Sequence, residues 1–120
     1  MLGLILGFIV AASLGAFARW GVGHVLPPNY STLFVNIVGS FLLGFLFIYL
    51  QRFSEPLKVM VWVALLGAFT TYSGFALDLV RLLNQGAIKT ALLYFIASNG
   101  LAVLACYAGW QVANLLERSI

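Results

Sequence analysis

The sequence predicts an all-α membrane protein with four transmembrane helices. Hydrophobic residues make up 63% of the 120 residues and charged residues only 8%, whereas soluble domains carry about 25% charged residues. The stretches 1–18, 20–51, 59–77 and 90–116 contain no charge at all. Each is long enough for the roughly 17–25 apolar residues that cross a bilayer. We therefore predict one domain, residues 1–120, that lies in the lipid bilayer of the cell (inner) membrane as a multi-pass protein.

The first span is predicted from Leu2 to Leu26 and the second from about Thr32 to Leu50. Between them, Pro27, Pro28 and Asn29 predict a turn, because proline cannot continue a hydrogen-bonded helix. The two spans are thus expected to be antiparallel neighbours.

The third and fourth spans follow a polar loop, predicted at Gln51–Lys58. The third is predicted over Val59–Leu83 and the fourth over Lys89–Leu116, with a turn at Asn84–Gly86. Five aromatic residues fall near the predicted span ends, where interfacial anchors are expected. They are Trp20, Tyr30, Tyr49, Trp62 and Trp110.

The third span contains the unusual stretch GAFTTYSGF, residues 67–75. Its glycines weaken a helix, and the hydroxyls of Thr70, Thr71 and Ser73 are able to satisfy backbone groups that a broken helix frees. We therefore predict that the third helix is broken at mid-membrane. Broken membrane helices expose carbonyls that bind cations and amides that bind anions.

Two aromatic residues lie within this stretch, Tyr72 and Phe75. At a spacing of three they share one helical face, and the edge of an aromatic ring carries partial positive charge. A small anion is therefore able to lie against the ring edges without meeting a full charge. The alternative is a packed aromatic pair beside a glycine that serves close packing only.

Polar side chains on the other spans form stripes at helical spacing. The second span carries Thr32, Asn36 and Ser40, and the fourth carries Tyr94 and Ser98 with Asn99 beside them. With Arg19 they predict a vestibule of N–H and O–H donors without a carboxylate. Anion pathways use such donors, whereas cation pathways use acidic rings. The alternative is that these residues join helices by hydrogen bonds.

The positive charges of the loops do not choose an orientation. Three basic residues fall on each side of a four-span protein: Arg52, Lys58 and Arg118 on one, and Arg19, Arg81 and Lys89 on the other. The positive-inside rule therefore predicts insertion in both orientations, and two opposite copies would pair as an antiparallel, dual-topology dimer. A single orientation set by weaker signals is the alternative.

Other functional classes receive less support from the residues. The scattered basic residues form no nucleic-acid patch. A small proton-coupled exporter needs a carboxylate within a span, yet the first two spans contain none and Asp78 is predicted near the end of the third. A non-transporting assembly subunit stays open, although the donor stripe argues against it. We expect a transport protein rather than an enzyme.

Four stretches carry a resemblance to a known family: GAFARW at 15–20, TLFVNIVGSFLLG at 32–44, GAFTTYSGF at 67–75 and the fourth span. In this order and spacing the chain resembles the Fluc/CrcB family of small fluoride channels over nearly its whole length. The resemblance implies that two copies assemble antiparallel and form two pathways for the passive export of fluoride.

The resemblance also implies roles for particular residues. Asn36 would donate its amide N–H to fluoride, and the ring edges of Tyr72 and Phe75 would line the path. Gly67 and Thr70 would supply backbone carbonyls to a structural sodium ion at the dimer centre.

The remaining matched positions are polar. Arg19 would lie near the vestibule, Thr71 and Ser73 would supply hydroxyls at the break, and Tyr94 and Ser98 would begin a polar track on the fourth span. The family usually has TTFSTF where this chain has TTYSGF, and Ala102 stands where a further hydroxyl is expected. Some family members pair with a subunit whose pore residues are degraded, so a heterodimer is the alternative assembly.

Overall fold

The computed structural model describes residues 1–120, and the chain is helical almost throughout. Four helical spans are long and apolar enough to cross a membrane: Leu2–Val25, Pro28–Arg52, Glu55–Asn84 and Ile88–Arg118. The predicted all-α fold with four spans is therefore confirmed.

The first two helices are separated by only two residues. Helix α1 is Leu2–Val25, close to the predicted bounds, and α2 is Pro28–Tyr49. The prediction of a turn through Asn29 is wrong, because Pro28 occupies the first turn of α2. Proline is favoured there, since its missing N–H would have no helical partner.

The third span begins earlier than predicted. A single 3₁₀ turn, Leu50–Arg52, follows α2. Helix α3 then consists of three contiguous stretches, Glu55–Val59, Met60–Leu66 and Gly67–Phe69, of which the middle one has wide π-type turns. The predicted loop to Lys58 is too long, because Glu55 and Pro56 fit the first turn of a helix.

The third span is interrupted between Phe69 and Tyr72, within the stretch predicted to break. Helix α4, Tyr72–Asn84, resumes the span, and α5, Ile88–Arg118, completes the fold. The depth of the interruption in a bilayer stays a prediction. Gly86, at φ 76°, makes the turn between α4 and α5.

Helices α2 and α5 form the most extensive interface of the fold. Two glycines make it close: a Cβ atom on Gly44 would overlap the carbonyl of Cys106, and one on Gly109 would overlap that of Phe41. The two backbones therefore touch, as small residues permit in membrane proteins. Gly15 of α1 approaches the carbonyl of Leu65 in α3 in the same way.

We expect Gly109→Ala to lower the midpoint of thermal unfolding in detergent, because α2 and α5 must separate to admit the methyl group. Overpacking of this kind costs about 1–3 kcal/mol. Gly100→Ala is the matched control, since a Cβ at Gly100 of the same helix meets nothing within 4 Å. Equal midpoints for the two variants, measured by circular dichroism, would contradict the close contact.

Most of the apolar surface faces outward. Only 18 of 120 residues are buried within the chain, which is too few to bury the apolar faces of four helices. Hydrocarbon, a second protein chain, or both must therefore cover the remainder.

Candidate functional site

The interruption of the third span is an extended dipeptide. Thr70 has φ −86° and ψ 159°, and Thr71 has φ −149° and ψ 113°. The Thr70 hydroxyl donates to the carbonyl of Leu66 at 3.1 Å, and Thr71 Oγ1 accepts from the Gly74 N–H at 2.9 Å. The two threonines therefore close the end of α3 and cap the start of α4, as hydroxyl side chains do at helix termini.

Asn36 of α2 holds this dipeptide in place. Its Nδ2 donates to the carbonyl of Thr71 at 3.0 Å, and the Thr71 N–H donates to its Oδ1 at 2.7 Å. The side-chain amide of Asn36 thus makes the two hydrogen bonds with the Thr71 backbone that neighbouring turns would make in a continuous helix. One of its two amide N–H groups is used in this way, and the second is left for another acceptor.

Several backbone carbonyls lose their usual partners at the break, among them those of Gly67 and Thr70. In a continuous α-helix, Gly67 O would accept from Thr71 N–H and Thr70 O from Gly74 N–H. Both donors are engaged elsewhere, by Asn36 Oδ1 and by Thr71 Oγ1. The carbonyls of Gly67 and Thr70 are therefore free of their helical hydrogen bonds, and both residues line the same groove.

Arg19 of α1 binds the end of α3. Its Nε donates to the carbonyl of Ala68 at 3.0 Å. Gly15, one turn earlier, allows α1 to approach α3 closely. A cation at a helix C-terminus is electrostatically favourable, so Arg19 stabilises the break, and its remaining guanidinium N–H groups are free for an anion.

An open groove of about 290 Å³ runs beside the break. It is lined by α2, α3, the break, α4 and α5, and no lining residue is charged. The lining residues are Asn36, Gly39, Ser40, Leu43, Trp62, Leu66, Gly67, Thr70, Thr71, Tyr72, Phe75, Ser98, Asn99, Ala102 and Val103. The structure therefore brings five of the predicted site residues, and both predicted metal-binding residues, to one groove.

The aromatic pair of α4 is in contact but unequally buried. The ring centroids of Tyr72 and Phe75 are 5.5 Å apart and the rings are tilted by 52°. Phe75 is 4% exposed and also packs on Tyr94 and Phe95, whereas Tyr72 is 74% exposed. Phe75 is thus a fixed wall of the groove, and Tyr72 forms its open rim.

The two predicted residues of α5 differ in their surroundings. Ser98 is buried, lines the groove, and its Oγ has no hydrogen-bond partner in the chain. The Tyr94 hydroxyl donates to Asp78 Oδ2 at 3.0 Å, and Tyr94 lies outside the groove. Asp78 lies six residues before the end of the third span at Asn84, near the span end as predicted, and it is buried.

A second crevice, of about 270 Å³, adjoins the break at Thr71 and Gly74. Arg19, His24 and Thr32 line it, and Thr71 lines both it and the groove. Thr71 is therefore the one residue that the two openings share, and Asn36 lines only the groove. Ser73 lines neither, although its Oγ lies 3.4 Å from Thr71 Oγ1.

Trp62 is a groove residue that the pattern of interfacial aromatics does not predict. It lines the groove, and its Nε1 is buried without a hydrogen-bond partner. The available signal was its spacing, because Trp62, Leu66 and Thr70 recur every four residues and so share one helical face.

Comparison with known proteins gives consistent matches over most of the chain. The family described as CrcB-like protein, Camphor Resistance (CrcB), matches residues 6–110. A protein of Rhizobium meliloti (strain 1021) named fluoride-specific ion channel FluC is 39% identical over 107 residues, which are 87% of this chain and 84% of the relative. A relative of the same name from Magnetococcus marinus is 39% identical over 118 residues, 89% of this chain and 94% of the relative. One from Parabacteroides distasonis is 35% identical over 109 residues, 84% of this chain and 85% of the relative.

Proposed function

Because this chain belongs to the CrcB-like family, we propose that it is a fluoride-selective channel that exports fluoride passively across the cell membrane. It is a multi-pass membrane protein, and as a channel it is not an enzyme. Its relatives are named for fluoride, and the chemistry of the groove supports the same substrate here.

The observation that carries the proposal is the lining of the groove. It offers an amide N–H from Asn36, the unpartnered hydroxyl of Ser98 and the ring of Phe75, without any charged side chain. Buried donors without partners cost free energy, and an anion in the groove would repay that cost. No lining carboxylate would compensate a cation for its lost hydration, and the carbonyls of Gly67 and Thr70 lie only at the break.

Each residue has a defined part in the proposed passage. Arg19 raises the concentration of anions in the second crevice, while its bond to Ala68 keeps it beside the break. Fluoride then passes the free N–H of Asn36 and the edges of Phe75 and Tyr72, and the hydroxyls of Thr71, Ser73 and Ser98 are assigned as further donors. Tyr94 donates its O–H to Asp78 and contributes by packing against Phe75. Partial charges attract the ion without trapping it, so its own gradient suffices to drive export.

A second copy of the chain, inserted in the opposite orientation, completes the passage in this proposal. The groove is open on one side, and four helices of this size enclose no polar path of their own. Equal numbers of basic residues on the two sides of the membrane favour both orientations. The antiparallel homodimer then has two equivalent grooves, and hence two pores.

A sodium ion at the dimer centre fits the carbonyls of the break. Gly67 O and Thr70 O lack their helical partners, and unwound backbone carbonyls are sodium ligands in other membrane proteins. Hard cations in proteins take about six oxygen ligands, so the two carbonyls of one chain are insufficient. Two copies would supply four, and the bound ion would fix the two breaks against each other.

The alternative assembly is a heterodimeric fluoride channel in which this chain is the subunit with degraded pore residues. Gly74 supplies no hydroxyl to α4, and Ala102 supplies none to the groove, which favours this reading. The small proton-coupled exporter has no comparable support, because Asp78 binds Tyr94 and does not line the groove.

Ion efflux from liposomes that contain the purified chain alone tests the proposed function. We expect rapid release of fluoride, at a rate at least about a hundredfold above that of chloride, because chloride is too large for a passage fixed by packed rings and backbone. No fluoride release by this chain, but release after mixing with a second family member, would establish the heterodimer instead. Proton-dependent uptake of organic cations would establish the exporter.

The same preparation tests the dimer and the sodium ion. Chemical cross-linking in the liposomes should yield a two-chain product, and trypsin cleavage after Arg52, at the short connection before Glu55, should occur from both sides of the membrane. Replacing sodium by a large organic cation throughout purification should abolish fluoride release, and added sodium should restore it. Full release without sodium would remove the ion from the proposal.

A further inference from the structure

The indole of Trp62 is a buried donor without an assigned role in the proposed passage. Its Nε1 has no hydrogen-bond partner, and the residue lines the groove. The only other buried side-chain polar atom without a partner is Ser98 Oγ, which lines the same groove. Both orphan donors of the chain therefore lie along one path.

Trp62 lies far from the break. The α2 residues that line the groove run from Asn36 to Leu43, a distance of about 10 Å along the helix axis at 1.5 Å per residue. Leu43 and Trp62 also line an apolar cleft that contains Phe47 and Trp110. Trp62 thus marks the end of the groove opposite Asn36, where the donor-lined passage meets a purely apolar surface.

The indole is held in position by its neighbours. The Trp62 ring contacts Phe47, with 4.8 Å between the ring centroids. At this end Leu43, Ala102 and Val103 contribute only apolar groups to the lining. An indole N–H donates and cannot accept, so it stabilises an anion or the oxygen of a water molecule but not a cation.

We propose that Trp62 is a second anion contact of the passage, where its indole N–H donates to the permeating halide at the end opposite Asn36. This assignment rests on the proposed fluoride channel. An ion that leaves Asn36 would otherwise meet apolar walls at this end, and the Trp62 N–H gives it a donor before the groove ends. Trp62 is then a determinant of the permeation rate and of selectivity against cations.

Trp62→Phe is the direct test, because it keeps an aromatic ring against Phe47 and removes the N–H. We expect fluoride efflux from liposomes to fall about tenfold, the effect of losing one hydrogen bond to an ion. Trp110→Phe is the matched control: Trp110 lines the apolar cleft but not the groove, so its efflux should equal that of the unsubstituted chain. Equal efflux for all three proteins would overturn the proposal, as would equal losses in the two variants.

A measurement on the unsubstituted chain decides the case if Trp62→Phe does not assemble. The chain has three tryptophans, and ¹⁵N labelling gives one indole N–H signal for each. Fluoride should move the Trp62 proton signal downfield, while an inert large anion should leave it unchanged. A Trp62 signal insensitive to fluoride would overturn the proposal, whereas absence of fluoride efflux by the unsubstituted chain, both alone and mixed with a second family member, would refute the channel function itself.

Discussion

Replacing Asn36 by aspartate is expected to abolish fluoride efflux. The variant places a negative charge beside the path of an anion, and it removes the donor N–H groups. Two like charges about 4 Å apart repel by about 4 kcal/mol at an effective dielectric constant of 20. This corresponds to a loss of close to a thousandfold in rate.

The structure adds a second cause of failure in this variant. Asn36 also donates to the carbonyl of Thr71, and a carboxylate in its place would repel that carbonyl. It would still accept the Thr71 N–H, as Oδ1 does now. We therefore expect the fold to persist, with a looser break.

Two further variants separate the charge from the lost hydrogen bonds. Asn36→Ala removes both bonds without adding charge, so it should lose less efflux than Asn36→Asp. Asn84→Asp is the control for net charge, since Asn84 is exposed at the end of α4 and lines no part of the groove. The measurement is liposome efflux after gel filtration has verified assembly. Undiminished efflux in Asn36→Asp would remove Asn36 from the passage.

The positions of the spans follow from the sequence because charge is expensive in hydrocarbon. The predicted spans Leu2–Leu26 and Lys89–Leu116 match α1 and α5 to within two residues at each end. The predicted starts of α2 and α3 are too late, because Pro27 and Pro28 predict a turn and the polar residues of Gln51–Lys58 predict a loop. Pro28 and Pro56 occupy first turns instead, where the absence of an N–H has no cost.

The break itself is predictable, but its partners are not. Local residues predict it, because glycines and threonines are concentrated where the helix is interrupted. Asn36 and Thr71 are 35 residues apart, however, and nothing in either stretch specifies their pairing. The same holds for Asp78 and Tyr94, which only the packing of α4 on α5 brings together. A stripe of polar residues therefore indicates that they have hydrogen-bond partners, but it does not identify those partners.

Phe75→Leu is expected to lower fluoride efflux at least tenfold while the fold is retained. Leucine fills most of the volume of the phenylalanine, so the cost in stability is about 1 kcal/mol. It lacks a ring, however, and an aliphatic wall presents no polarised edge to an anion. Tyr72→Phe keeps the ring and should leave efflux near its original rate, because phenylalanine presents the same ring edge at this 74% exposed rim position.

The decisive comparison for Phe75 is with Phe95, whose ring centroid is 6.0 Å away. Phe95 is 46% exposed and does not line the groove, so Phe95→Leu removes a neighbouring ring without changing the passage. If the ring edge is what matters, Phe75→Leu alone loses efflux, although both variants weaken the same aromatic cluster. If both variants lose efflux equally, the cluster acts through packing, and the ring of Phe75 makes no contact with the ion.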